Sequence, residues 1–329
     1  MTRDHLAVLG AGAWGTALAN VAAQGRERVP LWGHDAAHAA ALAQDRENKR
    51  HLAGLPLPAA VAPTSDLSCM RDARIVLAVV PAQALRDVAR AVRPHLKDGA
   101  AFVICAKGIE RDTRNFMSEV VARELPQAQP AVLSGPSFAM DVCKGLPTAV
   151  TLAAQDETLA QRLCEEISTR TFRLYRSTDL LGVEIGGAAK NVFAIAAGMS
   201  SGRGLGASAQ AALIARSFAE LSRLGRALGA RSETLMGLSG LGDLVLTCGS
   251  AQSRNFAFGQ ALGQGAAVKD ASGGKLTEGA FTAHVLLEMA RAAGVEMPIV
   301  EAVDAILSSR LSVDAAIEAL LMRPLKAES

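Results

Sequence analysis

Aromatic side chains are scarce in this chain, at 4% of 329 residues. Half of the residues are hydrophobic nonetheless, so the apolar mass is Ala, Leu and Val, which suits helices and strands buried on both faces. Neither sign of charge is in excess. Lys and Arg number 34 against 32 Asp and Glu, a net charge of +2, which excludes the basic signature of a nucleic-acid or anionic-membrane binder. The five cysteines (Cys69, Cys105, Cys143, Cys164 and Cys248) are odd in number, widely spaced and contain no C-x-x-C. That argues against a disulfide framework and a metal site, and fits reduced thiols in the cytoplasm. No charge-free apolar run reaches the length of a membrane span without glycine or polar breaks. Internal repeats and low-complexity linkers are missing as well. The expectation is a soluble intracellular protein, long enough for two domains that each bury a core.

Against these absences stands one conspicuous stretch, Leu6–Gly15, LAVLGAGAWG. A short apolar run leads into Gly10-Ala11-Gly12-Ala13-Trp14-Gly15, and Thr16–Ala23 has helix-forming composition. Strand, G-x-G-x-x-G and helix in that order are what a dinucleotide pyrophosphate needs. Gly10 permits the tight turn, Gly12 lets backbone approach the pyrophosphate, and Gly15 lets helix and strand pack closely. The helix start then offers free N–H groups and a positive dipole end. A signal peptide would also be apolar here, but three glycines in its core and Thr2-Arg3-Asp4-His5 as its leader fit poorly.

Further strands are expected at Arg28–Trp32, Arg74–Val80, Ala101–Cys105, Ala131–Ser134, Thr148–Ala153 and Phe172–Tyr175, mostly as continuous apolar runs. Helices are expected at Asp66–Arg71, Gln83–Val92 and Thr113–Glu124. This alternation after a glycine-rich first turn predicts an α/β fold with a doubly wound, mostly parallel Rossmann-type sheet. The last two strands are expected to form an antiparallel edge. Beyond Ser177-Thr178-Asp179 strands vanish, and helices are expected from Asp179 to about Met199, then at Ser208–Leu228, Ser253–Leu262, Gly279–Ala293, Pro298–Leu307 and Val313–Met322. Glycine-rich loops are expected at Gly202–Gly206 and Gly263–Gly274. The predicted division is a nucleotide-binding domain over 1–178 and an all-α substrate domain over 179–329.

Several residues could carry chemistry. Asp35, after the second strand, is placed to bind the 2′-hydroxyl of NAD, whereas Gly33 and His34 beside it could admit the 2′-phosphate of NADP; the sequence leaves both open. Lys107, in Ala106-Lys107-Gly108, follows a parallel strand, where ligands bind in open α/β sheets; it can neutralise phosphate, polarise a carbonyl or be a surface loop lysine. Gly135 and Ser137 in SGPSFA follow the next strand and would face the same crevice. Lys190 lies in the small, apolar run GGAAKNVF, where it either snorkels to solvent or serves an interdomain cleft as a general acid and base. Asp243 in GLGDL could pair with Lys190 or bind a substrate hydroxyl. Ser253 is a good N-cap, and Arg254-Asn255 after it make either an anion site or an ordinary capped helix. Glu278 in LTEG is either a ligand contact or a plain helix N-terminal acid.

Taken together, the stretches GAGAWGTALA, LWGHD, VVP, AKGIE, SGPSFA, GLPTAV, GGAAKNVFAIAAGM, GLGDLVLTC, QSRN, LTEG and VEMPI resemble the bacterial NAD(P)-dependent glycerol-3-phosphate dehydrogenases, in the same order along nearly the whole chain. The resemblance implies reversible hydride transfer between NAD(P)H and dihydroxyacetone phosphate, giving sn-glycerol 3-phosphate, a phospholipid precursor. It implies that Lys190 donates and accepts the substrate proton. Lys107, Gly135, Ser137, Asp243, Ser253, Arg254 and Asn255 match substrate positions, with arginine and asparagine on the phosphate. Gly10, Gly12, Ala13, Trp14, Gly15, His34, Lys107, Ala139, Arg254, Leu276 and Glu278 match cofactor positions, and the cofactor expected is NAD(P)H with a lean to NADPH. The sequence departs from some members at Ala13-Trp14 and at His34, where others carry Arg. The partner expected is a small phosphorylated substrate, with neither nucleic acid nor membrane span, and a homodimer is compatible with it. Two rival readings are a carboxylate-reading hydroxyacid or ketopantoate-type reductase and a dinucleotide sensor without turnover; the first lacks a use for a phosphate site at Arg254-Asn255, the second for Lys190.

Overall fold

The computed structural model of the protein describes residues 5–271 and 277–324. Leu276, the leader Thr2-Arg3-Asp4 and the end of the glycine-rich loop before Leu276 lie outside the described residues. The first half contains β1 (Leu6–Leu9), α1 (Ala13–Ala22), β2 (Val29–Trp32), α2 (Ala36–Asp45), β3 (Glu47–Asn48), β4 (Leu52–Pro56), β5 (Val61–Thr64) and β6 (Ile75–Ala78). It continues with α3 (Leu85–Val92), β7 (Ala101–Ile104), α4 (Met117–Glu124), β8 (Gln129–Ser134), α5 (Ala139–Cys143), β9 (Thr148–Ala154), α6 (Glu157–Ile167) and β10 (Phe172–Ser177).

Eight strands make one sheet in the order β10–β9–β8–β7–β6–β1–β2–β5. Chain order reverses direction between β1 and β6, the switch point at which doubly wound sheets bind ligands beyond their carboxyl ends. All four residues of β1, β6 and β7 are buried, because helices cover both faces. The predicted antiparallel edge is corrected by one strand. β9 and β10 pair in parallel, and the antiparallel step falls between β8 and β9. The physical reason is α6, which lies between β9 and β10 and supplies the crossover a parallel pair requires.

Sequence reading missed the β3–β4 hairpin, the edge strand β5 and the helix α2. The helix expected from Thr113 begins only at Met117. The loop before it instead plants Ile109 and Phe116 in the hydrophobic core of the helical half.

That half contains α7 (Leu180–Gly202), α8 (Gly206–Ala227), α9 (Ser232–Met236), α10 (Asp243–Cys248), α11 (Arg254–Gly263), α12 (Val268–Ala271), α13 (Glu278–Ala292), α14 (Pro298–Leu307) and α15 (Val313–Leu321). Helix α7 is the axis. By length and composition it could cross a membrane, yet 89% of its apolar window is buried inside the protein, where α8, α10, α11, α13 and α14 pack on it. The α7–α11 crossing is close because both helices present glycine. A Cβ on Gly198 would stand 2.1 Å from the Phe256 carbonyl oxygen, and one on Gly259 2.0 Å from that of Ile195. The predicted inner face of α8 holds, with Leu221 and Leu224 buried and Leu213, Ile214, Phe218 and Leu228 against the same core.

Candidate active site

The glycine-rich turn sits at the switch point. Gly10 has φ +124°, and a Cβ there would lie 2.3 Å from the Val79 carbonyl oxygen on the neighbouring loop. A Cβ on Gly15 would lie 1.8 Å from the Gly10 carbonyl oxygen. Both glycines are required by the protein's own packing. At Gly12 no protein atom stands within 4 Å of a Cβ, so only a group outside the chain would need that approach kept clear. Gly12 is also the N-cap of α1 and gives it no side-chain cap, which leaves the first-turn N–H groups at Ala13 and Trp14 for an anion. These features fit a dinucleotide pyrophosphate. Trp14 packs at a tilt on Phe172, with ring centroids 6.3 Å apart, and Ala139 opens α5 nearby, since α5 packs on α1.

At the end of β2, Asp35 already has partners within the chain. It caps α2, one oxygen accepting the His38 N–H at 3.1 Å and the other pairing with Arg50 at 3.1 Å. The His38 backbone N–H, with Arg50, holds its carboxyl below the ordinary range. His34 is exposed beside it.

The centre of the site joins three chain segments far apart in sequence. Asp243, 1% exposed, accepts Lys190 Nζ on Oδ1 and Lys107 Nζ on Oδ2, each at 2.6 Å. Lys190 also donates to Thr247 Oγ1 at 3.0 Å, one turn further along α10. Lys107 donates to the Gly135 carbonyl at 3.1 Å, which also takes the Ser137 hydroxyl at 3.0 Å. Lys190 is therefore no snorkelling residue: it is 7% exposed and its charge is internal. Burial pushes its pKa down to about 8, with the Lys107 charge in the same direction and Asp243 opposing both. Burial would raise the Asp243 carboxyl, but the two lysines outweigh it and hold it low. A buried ammonium close to its titration point, steadied by a carboxylate and a hydroxyl, is equipped to give and take a proton near neutrality.

Beside this bracket α11 begins. Ser253 is buried and accepts the Phe256 N–H at 3.2 Å as N-cap, and Arg254 stands exposed at the first helical position. The Asn255 side chain is already engaged. It donates to Asn191 Oδ1 and accepts the Gly279 N–H, both at 3.0 Å, bolting α7, α11 and α13 together. Glu278, the first residue of α13, reaches back to the Ala82 N–H after β6 at 3.4 Å. Burial raises its carboxyl pKa, opposed by that N–H and by the Arg254 charge. The structure thus gathers Lys107, Gly135, Ser137, Lys190 and Asp243 by direct contact and links Asn255 to them through Asn191, which follows Lys190 in the chain.

Two family profiles match the chain. One, the NAD-dependent glycerol-3-phosphate dehydrogenase N-terminus, covers residues 5–160, and the other, the C-terminus of the same enzymes, covers 179–318. The chain belongs to the NAD-dependent glycerol-3-phosphate dehydrogenases. It is 60% identical to glycerol-3-phosphate dehydrogenase [NAD(P)+] of Azorhizobium caulinodans over 326 residues, 99% of each chain. The crystal structure of glycerol-3-phosphate dehydrogenase from Coxiella burnetii superposes with TM-score 0.93 at 39% identity, covering 98% of this chain and 100% of that one. A ketopantoate reductase from Ralstonia eutropha shares the fold, with TM-score 0.61 at 18% identity over 95% of this chain and 99% of that one. As a glycerol-3-phosphate dehydrogenase the chain is an NAD(P)-dependent oxidoreductase, and the rival readings as a hydroxyacid reductase or a silent sensor fall away.

In this dehydrogenase the residues that sequence reasoning missed are Thr247, Asn191, Arg50 and Asn48. The first two stood inside quoted motifs without a role. The last two lie in the unrecognised hairpin segment, and nothing in their local composition marks them.

Proposed function

We propose that Lys190 is the general acid and base of the reaction, that Arg254 and the start of α11 hold the substrate phosphate, and that NADPH is preferred over NADH. The observation carrying the first point is the buried Lys107–Asp243–Lys190 bracket. The reduced cofactor supplies the hydride to the carbonyl carbon of dihydroxyacetone phosphate. Lys190, protonated, hands a proton to the carbonyl oxygen and recovers it in the reverse direction, with Thr247 and Asp243 aiming Nζ. Lys107 adds a second positive charge in the same crevice. Ser253 satisfies the Phe256 N–H, so the N–H groups of Arg254 and Asn255 remain to meet a phosphate, reinforced by the helix dipole and the guanidinium. Gly10, Gly12, Ala13, Trp14 and Gly15 would hold the pyrophosphate, with Ala139 and Glu278 along the same crevice.

Support for NADPH comes from Asp35. Its carboxylate caps a helix and pairs with Arg50, partners with which a ribose 2′-hydroxyl would have to compete, while His34 and Arg50 offer donors to a 2′-phosphate. The test follows absorbance loss of NADH and NADPH separately with dihydroxyacetone phosphate. A larger kcat/KM with NADPH is expected; equal values, or a larger one with NADH, would sink this preference. We divide the chain at residue 178 into nucleotide and substrate units, since the last strand ends at Ser177 and α7 begins at Leu180. All five cysteines are unpaired, which supports a reducing, cytoplasmic setting.

A further inference from the structure

Asn48 is fully buried, at 0% exposure, in a two-residue strand with no hydrophobic neighbour of its own in β3. Its side chain spends its donors on the glycine-rich turn. Nδ2 donates to the Ala11 carbonyl at 3.1 Å and to Thr16 Oγ1 at 2.6 Å, while Oδ1 accepts the His51 N–H at 3.2 Å. Thr16 in turn donates its hydroxyl to the Gly12 carbonyl at 2.9 Å, an oxygen that also accepts the Thr16 backbone N–H at 2.9 Å. His38 turns Nε2 to the same Ala11 carbonyl at 3.2 Å, donating in the tautomer protonated there, and its ring meets that of His51 edge-on at 5.2 Å.

Both carbonyls in the middle of the G-x-G turn are therefore tied from behind. A trans peptide is planar, with C=O and the following N–H pointing in opposite directions. Fixing the Ala11 carbonyl toward Asn48 aims the Gly12 N–H the other way, whereas the Gly12 carbonyl is already oriented by the Thr16 backbone N–H at 2.9 Å, the first bond of α1. Neither glycine nor alanine has a side chain that could set these peptide planes alone.

We propose that Asn48 is a positioning residue for the cofactor: through the Ala11 carbonyl it presets the Gly12 N–H, one of the backbone donors that receive the pyrophosphate, without touching the cofactor itself. This rests on the reading of the glycine turn as the pyrophosphate site. The β3–β4 hairpin thereby gains a function, as the brace of that turn.

The experiment titrates NADPH into the full-length enzyme and measures steady-state constants for both substrates. Asn48→Asp keeps the shape and the acceptor for His51 but loses both donors. The expected result is a rise of about tenfold or more in Kd and KM for NADPH, as loss of buried hydrogen bonds implies. kcat at saturating cofactor and KM for dihydroxyacetone phosphate should stay within about twofold. A folded Asn48→Asp enzyme with parental NADPH affinity, even one of lower Tm, overturns the proposal, because a merely structural role moves Tm and leaves the cofactor alone. Asn48→Ala removes the same donors without placing a negative charge near the pyrophosphate, and it serves also if Asn48→Asp fails to fold: weaker NADPH binding by Asn48→Ala supports the proposal, and unchanged binding overturns it. Gly12→Val separates the underlying reading. Should Gly12→Val bind NADPH normally, the turn is not the pyrophosphate site; should it abolish binding while Asn48→Asp does not weaken it, the brace alone is refuted.

Discussion

In the role proposed for Lys190, one nitrogen must be charged in one direction of the reaction and neutral in the other. An ordinary lysine, with a pKa near 10.4, would serve reduction well and oxidation badly. Burial brings this one to about 8, a pH at which ammonium and amine are both populated. The sign follows: ketone reduction needs the ammonium and is expected to fall as pH rises through about 8, while alcohol oxidation needs the amine and is expected to rise through the same point. Profiles of kcat/KM in the two directions with parallel slopes would refute this. Lys190→Ala should lower kcat by about 10²–10⁴-fold with NADPH affinity unchanged, and an unaltered kcat would remove Lys190 from the chemistry. Arg254→Ala loses a charge-assisted contact of about 2–3 kcal/mol and should raise KM for dihydroxyacetone phosphate by tenfold or more; a value within about twofold of the parent would clear Arg254 of that role. Lys107 and Arg254 were legible in the sequence because one follows a strand and the other opens a helix, and Lys190 because it is the lone charge in a small, apolar run. That Lys107 and Lys190 share one aspartate was not, since Lys107 and Asp243 are separated by 136 positions and only the fold sets their distance.

Among the elements, α7 ties the two halves together. Glu184 on its second turn accepts the Ser118 N–H at 2.8 Å and its hydroxyl at 2.6 Å, so a carboxylate from the helical half caps α4 of the sheet half. Burial pushes its pKa up to about 7. Between its unfolded value near 4.5 and about 7 the folded state holds a proton that the unfolded state lacks, so stability falls as pH rises across that window. Glu184→Gln keeps the Ser118 N–H on its amide oxygen, donates its amide NH2 to the Ser118 hydroxyl in the reverse direction, and cannot ionise. It should match the parent in Tm at pH 5 and exceed it by several degrees at pH 8, the shift being worth up to about 3 kcal/mol; a Tm difference that does not change between these pH values would refute the assignment. The α7–α11 seam makes a second demand. Gly198→Ala would force backbones apart and cost about 1–3 kcal/mol or more, read as a lower Tm in thermal unfolding; an undiminished Tm would show that the seam can open. Strands covered on both faces, such as β6 and β7, were plain as unbroken apolar runs. The β3–β4 hairpin was hidden, because Glu47-Asn48 and Leu52–Pro56 have neither alternation nor length, and their partner is a glycine turn elsewhere in the chain.

On the scale of the whole molecule, a mostly parallel sheet presents its loops at one end and a helical half closes over them. Lys107 comes from the sheet, Lys190 and Asp243 from the helices, and Glu278 reaches back across to Ala82. The order of motifs made this two-part plan legible, while the antiparallel step at β8–β9 was not, because strand direction depends on which strands become neighbours. Asp243 reaches its place in an unusual way. The segment Leu238–Gly242 is a π-turn, closed by the Gly242 N–H on the Gly237 carbonyl at 3.0 Å, and it runs directly into α10. Each residue of a helix turns the chain by about 100°, so deleting one residue here would swing the carboxylate of Asp243 a quarter-turn or more away from both lysines. Glycine-rich connections usually tolerate changes of length. This one is a gauge: single-residue deletions within Leu238–Gly242 should abolish turnover, where the same deletions in the turn Arg203–Leu205 leave it largely intact.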